Sequence, residues 1–160
     1  MSNPFATHDI MIPEEYREHF DRYVQKKDGK AAQPIHQPFA RNIDMWFFAL
    51  CLAVKKKLKP VDHTGKKYKA AEGVVLSSDS WHPTAIVLLA LAETKDIKVV
   101  EDPGKMLGIA SRYALAGMPE LLTLLGDLQG ETPLDTLCEE IEGLLANADM
   151  AAVHDNDFRS

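Results

Sequence analysis

A strongly apolar helix constrains what this chain can fold into. Between about residues 41 and 58, apolar side chains from Ile43 to Val54 cover nearly the whole circumference of a helix. A helix that is apolar on all sides must be buried by its own chain or partly by another subunit. Its longest apolar run, Met45 to Val54, has ten residues, whereas a membrane span needs about 20. The chain is therefore predicted to fold around this helix in water.

Start and stop signals predict further helices on both sides of it. Pro13 is followed by two glutamates, which favours a first helix there. Pro83 opens a second central helix, since Ala85 through Ala92 is continuously apolar. Asp102 and the proline that follows it cap another helix, which Gly117 is expected to end.

The C-terminal part of the chain carries the clearest local signals. Pro119 is expected to restart a short leucine-rich helix. The segment Thr132–Asp135 resembles a capping box, in which a threonine and a carboxylate three residues later satisfy each other's backbone amides. Leu134, Leu137, Ile141 and Leu144 then repeat at helical spacing, so a last helix is predicted to begin here.

These signals together predict a mainly α fold, a compact bundle of about five or six helices around two buried ones near residues 43–57 and 83–94. Residues 74–76 and 97–100 are candidates for a minor two-stranded β element. The chain has 160 residues, the size of one domain. We expect a flexible N-terminal arm over residues 1–12, a single helical domain over 13–146, and a flexible acidic tail over 147–160.

Charge is distributed unevenly along the chain. The net charge is −6, which disfavours non-specific nucleic-acid binding by the molecule as a whole. Residues 41–69 nevertheless contain eight basic residues against two acidic ones, and residues 126–160 contain nine acidic residues against one arginine. No basic start with an apolar core opens the N-terminus, so we expect a cytoplasmic protein without membrane contact.

The basic segment is the first candidate binding site. Its cations could neutralise phosphates of double-stranded DNA, or dock an acidic protein surface, or simply be solvated loop charge. The candidate nucleic-acid-binding residues are Arg41, Lys55, Lys56, Lys57, Lys59, Lys66, Lys67 and Lys69.

An aromatic run within the central helix is the second candidate. Met45, Trp46, Phe47 and Phe48 are of the types enriched both in cores and at oligomer interfaces. Core packing is the ordinary interpretation, and a homo-oligomer interface is the functional one.

No motif in the sequence indicates catalysis. A glycine-rich phosphate loop is missing, and the six histidines do not pair at metal-ligand spacing. The stretch Ser78–His82 holds serine, aspartate and histidine together, but neighbours in sequence are not a triad, and a polar turn is the simpler interpretation. Cys51 and Cys138 are predicted to be buried small hydrophobic residues. We therefore predict no catalytic residues, no metal and no cofactor.

Several segments resemble one protein family. Residues 38–50 resemble an "F-x-x-x-x-D-x-x-x-F-A-A" opening, residues 90–96 an "ALAETGD" segment, and residues 113–117 a "YA-x-GG" helix end, with a further counterpart at 134–137. This order and spacing is similar to that of the small accessory family numbered 4 of bacterial DNA phosphorothioation (Dnd) systems. The resemblance implies a non-catalytic accessory role in a DNA-modification-linked anti-phage defence system, with other subunits of a defence complex as partners.

Three functions follow as hypotheses. The first is an accessory subunit that associates with DNA through the lysine-rich segment. The second is a structural adaptor or homo-oligomeric scaffold that binds a partner protein without contacting DNA. The third is an enzyme with an unrecognised site, which a pocket gathering His63, His82 and an acid would support.

Overall fold

Two long helices in close contact form the centre of the molecule. A computed structural model describes residues 2–27, 33–126 and 131–157. The predicted apolar helix forms as α2 (Asn42–Lys55), and it packs along α4 (Pro103–Gly126). Eight residues of α2 and nine of α4 are buried, because the apolar stripes of both helices face each other.

The remaining elements surround this pair. In chain order they are β1 (Asp9–Pro13), α1 (Arg17–Tyr23), β2 (Lys67–Glu72), α3 (Trp81–Thr94) and α5 (Pro133–Asp157), with 3-10 turns at Glu14–Tyr16, Gly73–Ser78 and Ile97–Glu101. The fold is mainly helical with one two-stranded antiparallel sheet, as predicted. Of the two predicted central helices, α2 is confirmed. The second is α4 rather than α3, because α3 buries only one face.

The small sheet lies elsewhere than predicted. Residues 74–76 and 97–100 belong to 3-10 turns, and the strands are β1 and β2, which pair from Asp9 with Glu72 to Pro13 with Lys67. A bulge between Ile10 and Met11 shifts the register. Ile10 and Ile12 both point into the core, as the two-residue period of a strand requires.

The predicted N-terminal boundary of the domain is wrong, and the predicted C-terminal boundary falls within a helix. Phe5, Ile10 and Ile12 are almost completely buried, so the described part of residues 1–12 belongs to the core and is not an arm. At the other end, α5 continues to Asp157, beyond the predicted start of a tail at residue 147. The capping box that starts α5 is confirmed. Thr132 Oγ1 donates to Asp135 at 2.7 Å and accepts from the Asp135 amide at 3.3 Å.

The predicted helix end at Gly117 is also wrong, because α4 runs through Gly117 and Pro119 without a break. Pro119 removes one amide donor from the helix, but Ala114, Met118, Leu121 and Leu125 continue the buried stripe on both sides of it. Tertiary packing therefore outweighs the local break signal. None of the helices in the described ranges is both long and apolar enough to cross a membrane.

Candidate functional site

The structure disperses the predicted cationic site. Arg41 precedes the first turn of α2 and Lys55 ends the helix. Fourteen residues at 1.5 Å each place these ends about 20 Å apart. Lys66 and Lys67 lie at the start of β2, at the opposite end of the loop that leaves α2. The eight candidates therefore do not form one continuous patch.

Arg41 is held in a local network. Its guanidinium donates to both Asp44 carboxylate oxygens, at 2.6 and 3.1 Å, and to Ser78 Oγ at 2.7 Å. Asp79 lies 3.7 Å away. The hydrogen bonds to Asp44 raise the pKa of Arg41. Because two carboxylates neutralise its charge, Arg41 is poorly placed to bind a phosphate.

Two of the lysines are also paired. Lys56 Nζ lies 3.0 Å from Glu120 on α4, and Lys69 Nζ lies 3.3 Å from Glu72 and 3.8 Å from Asp9. Exposed pairs of this kind contribute little to stability, but each places an acid beside the cation. What remains is a smaller group at the end of α2 and just beyond it, formed by Lys55, Lys57 and Lys59, all of which are exposed.

The aromatic run is core, so its assignment as an interface is wrong for three of the four residues. Met45, Trp46 and Phe47 are at most 3% exposed, buried by the chain's own helices. Phe48 is half-buried, with its ring 5.8 Å from that of Phe39 in an edge-to-face arrangement. Met45, Trp46 and Phe47 are therefore not accessible to another subunit.

The outward side of α3 is a surface that sequence reasoning missed. Trp81 is 54% exposed and Leu88 is 61% exposed, and seven residues, or about two helical turns, separate them. Ala92 continues the same side, and Ile97 in the adjoining 3-10 turn is 70% exposed. No charged residue occurs from Trp81 to Ala92. We call Trp81, Leu88 and Ala92 the α3 face.

An aromatic cluster fixes one end of this face. The Trp81 ring makes an edge contact with Phe47 at 4.9 Å between centroids and lies 4.3 Å from the ring of His82. His82 is buried, and burial lowers its pKa although Asp79 lies 3.8 Å from its Nδ1. Trp81 thus combines high exposure with a supported orientation, which is typical of an interface anchor.

A second apolar surface is a groove between α2 and α5. It has a volume of about 330 Å³ and is lined by Phe48, Cys51, Leu52, Lys55, Ile141, Leu144, Leu145 and Ala148. Cys51 and Cys138 were predicted to be buried, and both are exposed. Cys51 is exposed because it faces this groove, which no other described part of the chain fills. We call this surface the α2–α5 groove.

A cleft of about 420 Å³ lies between β1, the segment 61–63 and α4. It brings together His8 and His63, and Asp62 forms an ion pair with Arg112 at 2.7 Å. His63 Nε2 is buried without a hydrogen-bond partner. His82 lies outside this cleft, so the cleft does not gather His63, His82 and an acid, the arrangement that would support an enzyme. The arrangement offers no hydrogen-bonded acid–base relay among the cleft's described side chains.

In the ranges that the structure describes, no three side chains of His, Cys, Asp or Glu come together as a metal site would require.

Comparison with known proteins adds no further assignment. No protein-family model, curated protein or solved structure matches this chain.

Proposed function

We propose that the protein is a non-catalytic structural adaptor that self-associates through the α3 face. The observation that carries this proposal is an outer helix that is uncharged over twelve residues yet exposes Trp81 and Leu88. A helix of this composition is ordinarily covered on all sides. A contiguous exposed apolar patch on a folded protein is typical of an interaction site.

A second copy is the occupant that this face fits best. In a two-fold symmetric contact each residue meets the same surface on the partner, so a charged face would repel itself. The α3 face has no charge between Trp81 and Ala92, and it can therefore meet itself without like-charge repulsion. Trp81, whose ring packs against Phe47, supplies the aromatic anchor that protein interfaces favour.

We expect Leu88→Glu to abolish self-association. The wild-type protein should sediment as a dimer at micromolar concentration. The variant removes an apolar contact from both copies and places two carboxylates in the interface, so the dimer Kd should rise at least about 100-fold. Sedimentation velocity over a concentration series measures this directly.

The matched control is Ile35→Glu, which introduces the same charge at a loop residue of similar exposure, 52%. It should leave the dimer intact. A wild-type protein that is monomeric throughout the series would remove the proposal. So would a dimer that tolerates Leu88→Glu, since the contact would then lie on another face.

The cellular setting proposed for this adaptor is a bacterial defence complex linked to DNA modification. It is supported by the resemblance of residues 38–50, 90–96 and 113–117 to the phosphorothioation accessory family. Co-purification with the products of neighbouring genes tests this setting. Recovery of the protein alone under gentle conditions would count against it.

DNA association is a second candidate, favoured by the three exposed lysines at the end of α2. If Lys55, Lys57 and Lys59 each neutralise one phosphate, the logarithm of the binding constant should fall with the logarithm of salt concentration with a slope of about −3. We expect Lys55→Glu/Lys57→Glu to remove this binding in a fluorescence anisotropy titration. Absence of wild-type binding at low salt, or a slope near zero, would exclude this candidate.

A further inference from the structure

We infer that the α2–α5 groove is a docking site for an amphipathic helix of another protein, one whose apolar stripe is flanked by lysine or arginine. This partner site is separate from the α3 face and does not depend on self-association.

The groove has the shape and length of a helix-binding site. Its walls are two helices, with Phe48 and Cys51 on one side and Ile141 and Leu145 on the other. Residues 48–55 and 141–148 each cover about two helical turns. A partner helix that inserts apolar residues at positions i, i+3 or i+4, and i+7 would match this length.

The apolar wall on α5 is left uncovered by the chain itself. Ile141 is 43% exposed and Leu145 is 61% exposed, whereas Leu137, one turn before Ile141, is buried against the body of the molecule. Beyond Leu137 the apolar stripe of α5 therefore continues without a partner in the described structure.

The charges beside the groove decide the chemistry of the occupant. Successive residues of a helix are rotated by about 100°, so Glu140 and Glu142 border Ile141 on its two sides. No cation on α5 offsets these two acids, since α5 contains no lysine or arginine. A helix lying in the groove would place the flanks of its own apolar stripe near these carboxylates. Basic flanks are attracted there and acidic flanks are repelled.

The same charges argue against a second copy of this chain as the occupant. Insertion of α5 from another molecule would bring two acidic helices side by side. Lys55 is the single charged residue among those lining the groove. Because the carboxyl end of a helix carries partial negative charge, Lys55 favours a bound helix whose carboxyl end lies at this end of α2.

A pair of synthetic peptides tests the inference. One is a helical peptide of leucine and lysine, about 14 residues long, with an i, i+3, i+4, i+7 leucine stripe, and the other carries glutamate in place of each lysine. Binding is measured by anisotropy. Occupancy of the groove is measured by the alkylation rate of Cys51 in a Cys138→Ser protein, because Cys51 lines the groove. We expect the lysine peptide to bind and to slow Cys51 alkylation at least about tenfold, and the glutamate peptide to do neither.

Charge reversal provides the matched variants. Glu140→Lys/Glu142→Lys should weaken binding of the lysine peptide about tenfold, whereas Glu101→Lys, an equal change per site on a distant turn, should leave it unchanged. Binding without protection of Cys51, equal binding of both peptides, or insensitivity to Glu140→Lys/Glu142→Lys would overturn the inference. A monomeric protein that still shows the expected result would remove the proposed self-association and leave this docking site standing.

Discussion

Gly117→Ala is expected to destabilise the protein by about 3 kcal/mol or more, although replacing a helical glycine by alanine usually stabilises. A Cβ atom at residue 117 would lie 1.9 Å from the backbone oxygen of Ala49 and 3.2 Å from the Cβ of Ala53. Both contacts are with α2, and both alanines are completely buried. To relieve the overlap, α2 and α4 would have to separate along the most extensive contact between elements of the described structure. Urea denaturation of the purified variant measures the change.

Gly108→Ala is the matched control on the same helix. An added Cβ at residue 108 meets no atom within 4 Å, and the residue is exposed. This variant should therefore gain the ordinary advantage of alanine over glycine, about 0.5–1 kcal/mol. Equal and favourable effects of the two substitutions would show that α2 and α4 do not approach each other at Gly117.

Phe5→Ala is expected to cost about 3–5 kcal/mol, the range for truncating a fully buried aromatic side chain. Phe5 has no exposed surface, and its backbone oxygen lies 2.0 Å from where a Cβ of Gly73 would be. The segment before β1 therefore packs between the core and the turn that follows β2. Thermal and urea unfolding of the variant give the loss of stability.

The control for Phe5→Ala is Met11→Ala in β1, where the side chain is 39% exposed. Its cost should be smaller than that of Phe5→Ala, about 1–2 kcal/mol, since more than a third of the residue stays exposed to water in the native state. A Phe5→Ala variant as stable as the wild type would restore the original expectation of a loose N-terminal arm.

Local signals predicted some elements well because the responsible atoms are neighbours in sequence. The α5 capping box depends on Thr132 and Asp135, three residues apart, and it forms as predicted. The Asp102 cap of α4 is similar, since its carboxylate accepts from the Lys105 amide at 2.9 Å. Such hydrogen bonds need no knowledge of the tertiary fold.

Gly117 shows why other features could not be predicted. Glycine both ends helices and permits close approach of two helices. Only the position of Ala49 on α2 shows which of these roles applies, and that contact joins residues far apart in the chain. The strand β1 was missed for a related reason, because its alternation of buried and exposed residues is only a few residues long.

How the candidate site residues are grouped in space could not be predicted for the same reason. The lysines form a dense cluster in sequence. In the fold, however, Lys56 forms an ion pair with Glu120, which is 64 residues away in the chain, and Arg41 forms one with Asp79. The apolar stretch 85–92 predicts a buried helix, since its sequence does not reveal that neighbouring elements cover one side only. The absence of charged residues between Trp81 and Ala92 is the feature of the sequence that could have indicated an interface.

The most direct test of self-association through the α3 face is an intermolecular distance measured across it. A spin label at Ser80→Cys, in a protein with Cys51→Ser and Cys138→Ser, would lie just before α3, where Ser80 is exposed and makes no side-chain cap hydrogen bond. Two copies of α3 in contact would place the labels within about 40 Å of each other, and double electron–electron resonance should show this distance and its loss in Leu88→Glu. Labels without a dipolar interaction, or a longer distance that survives Leu88→Glu, would contradict the account.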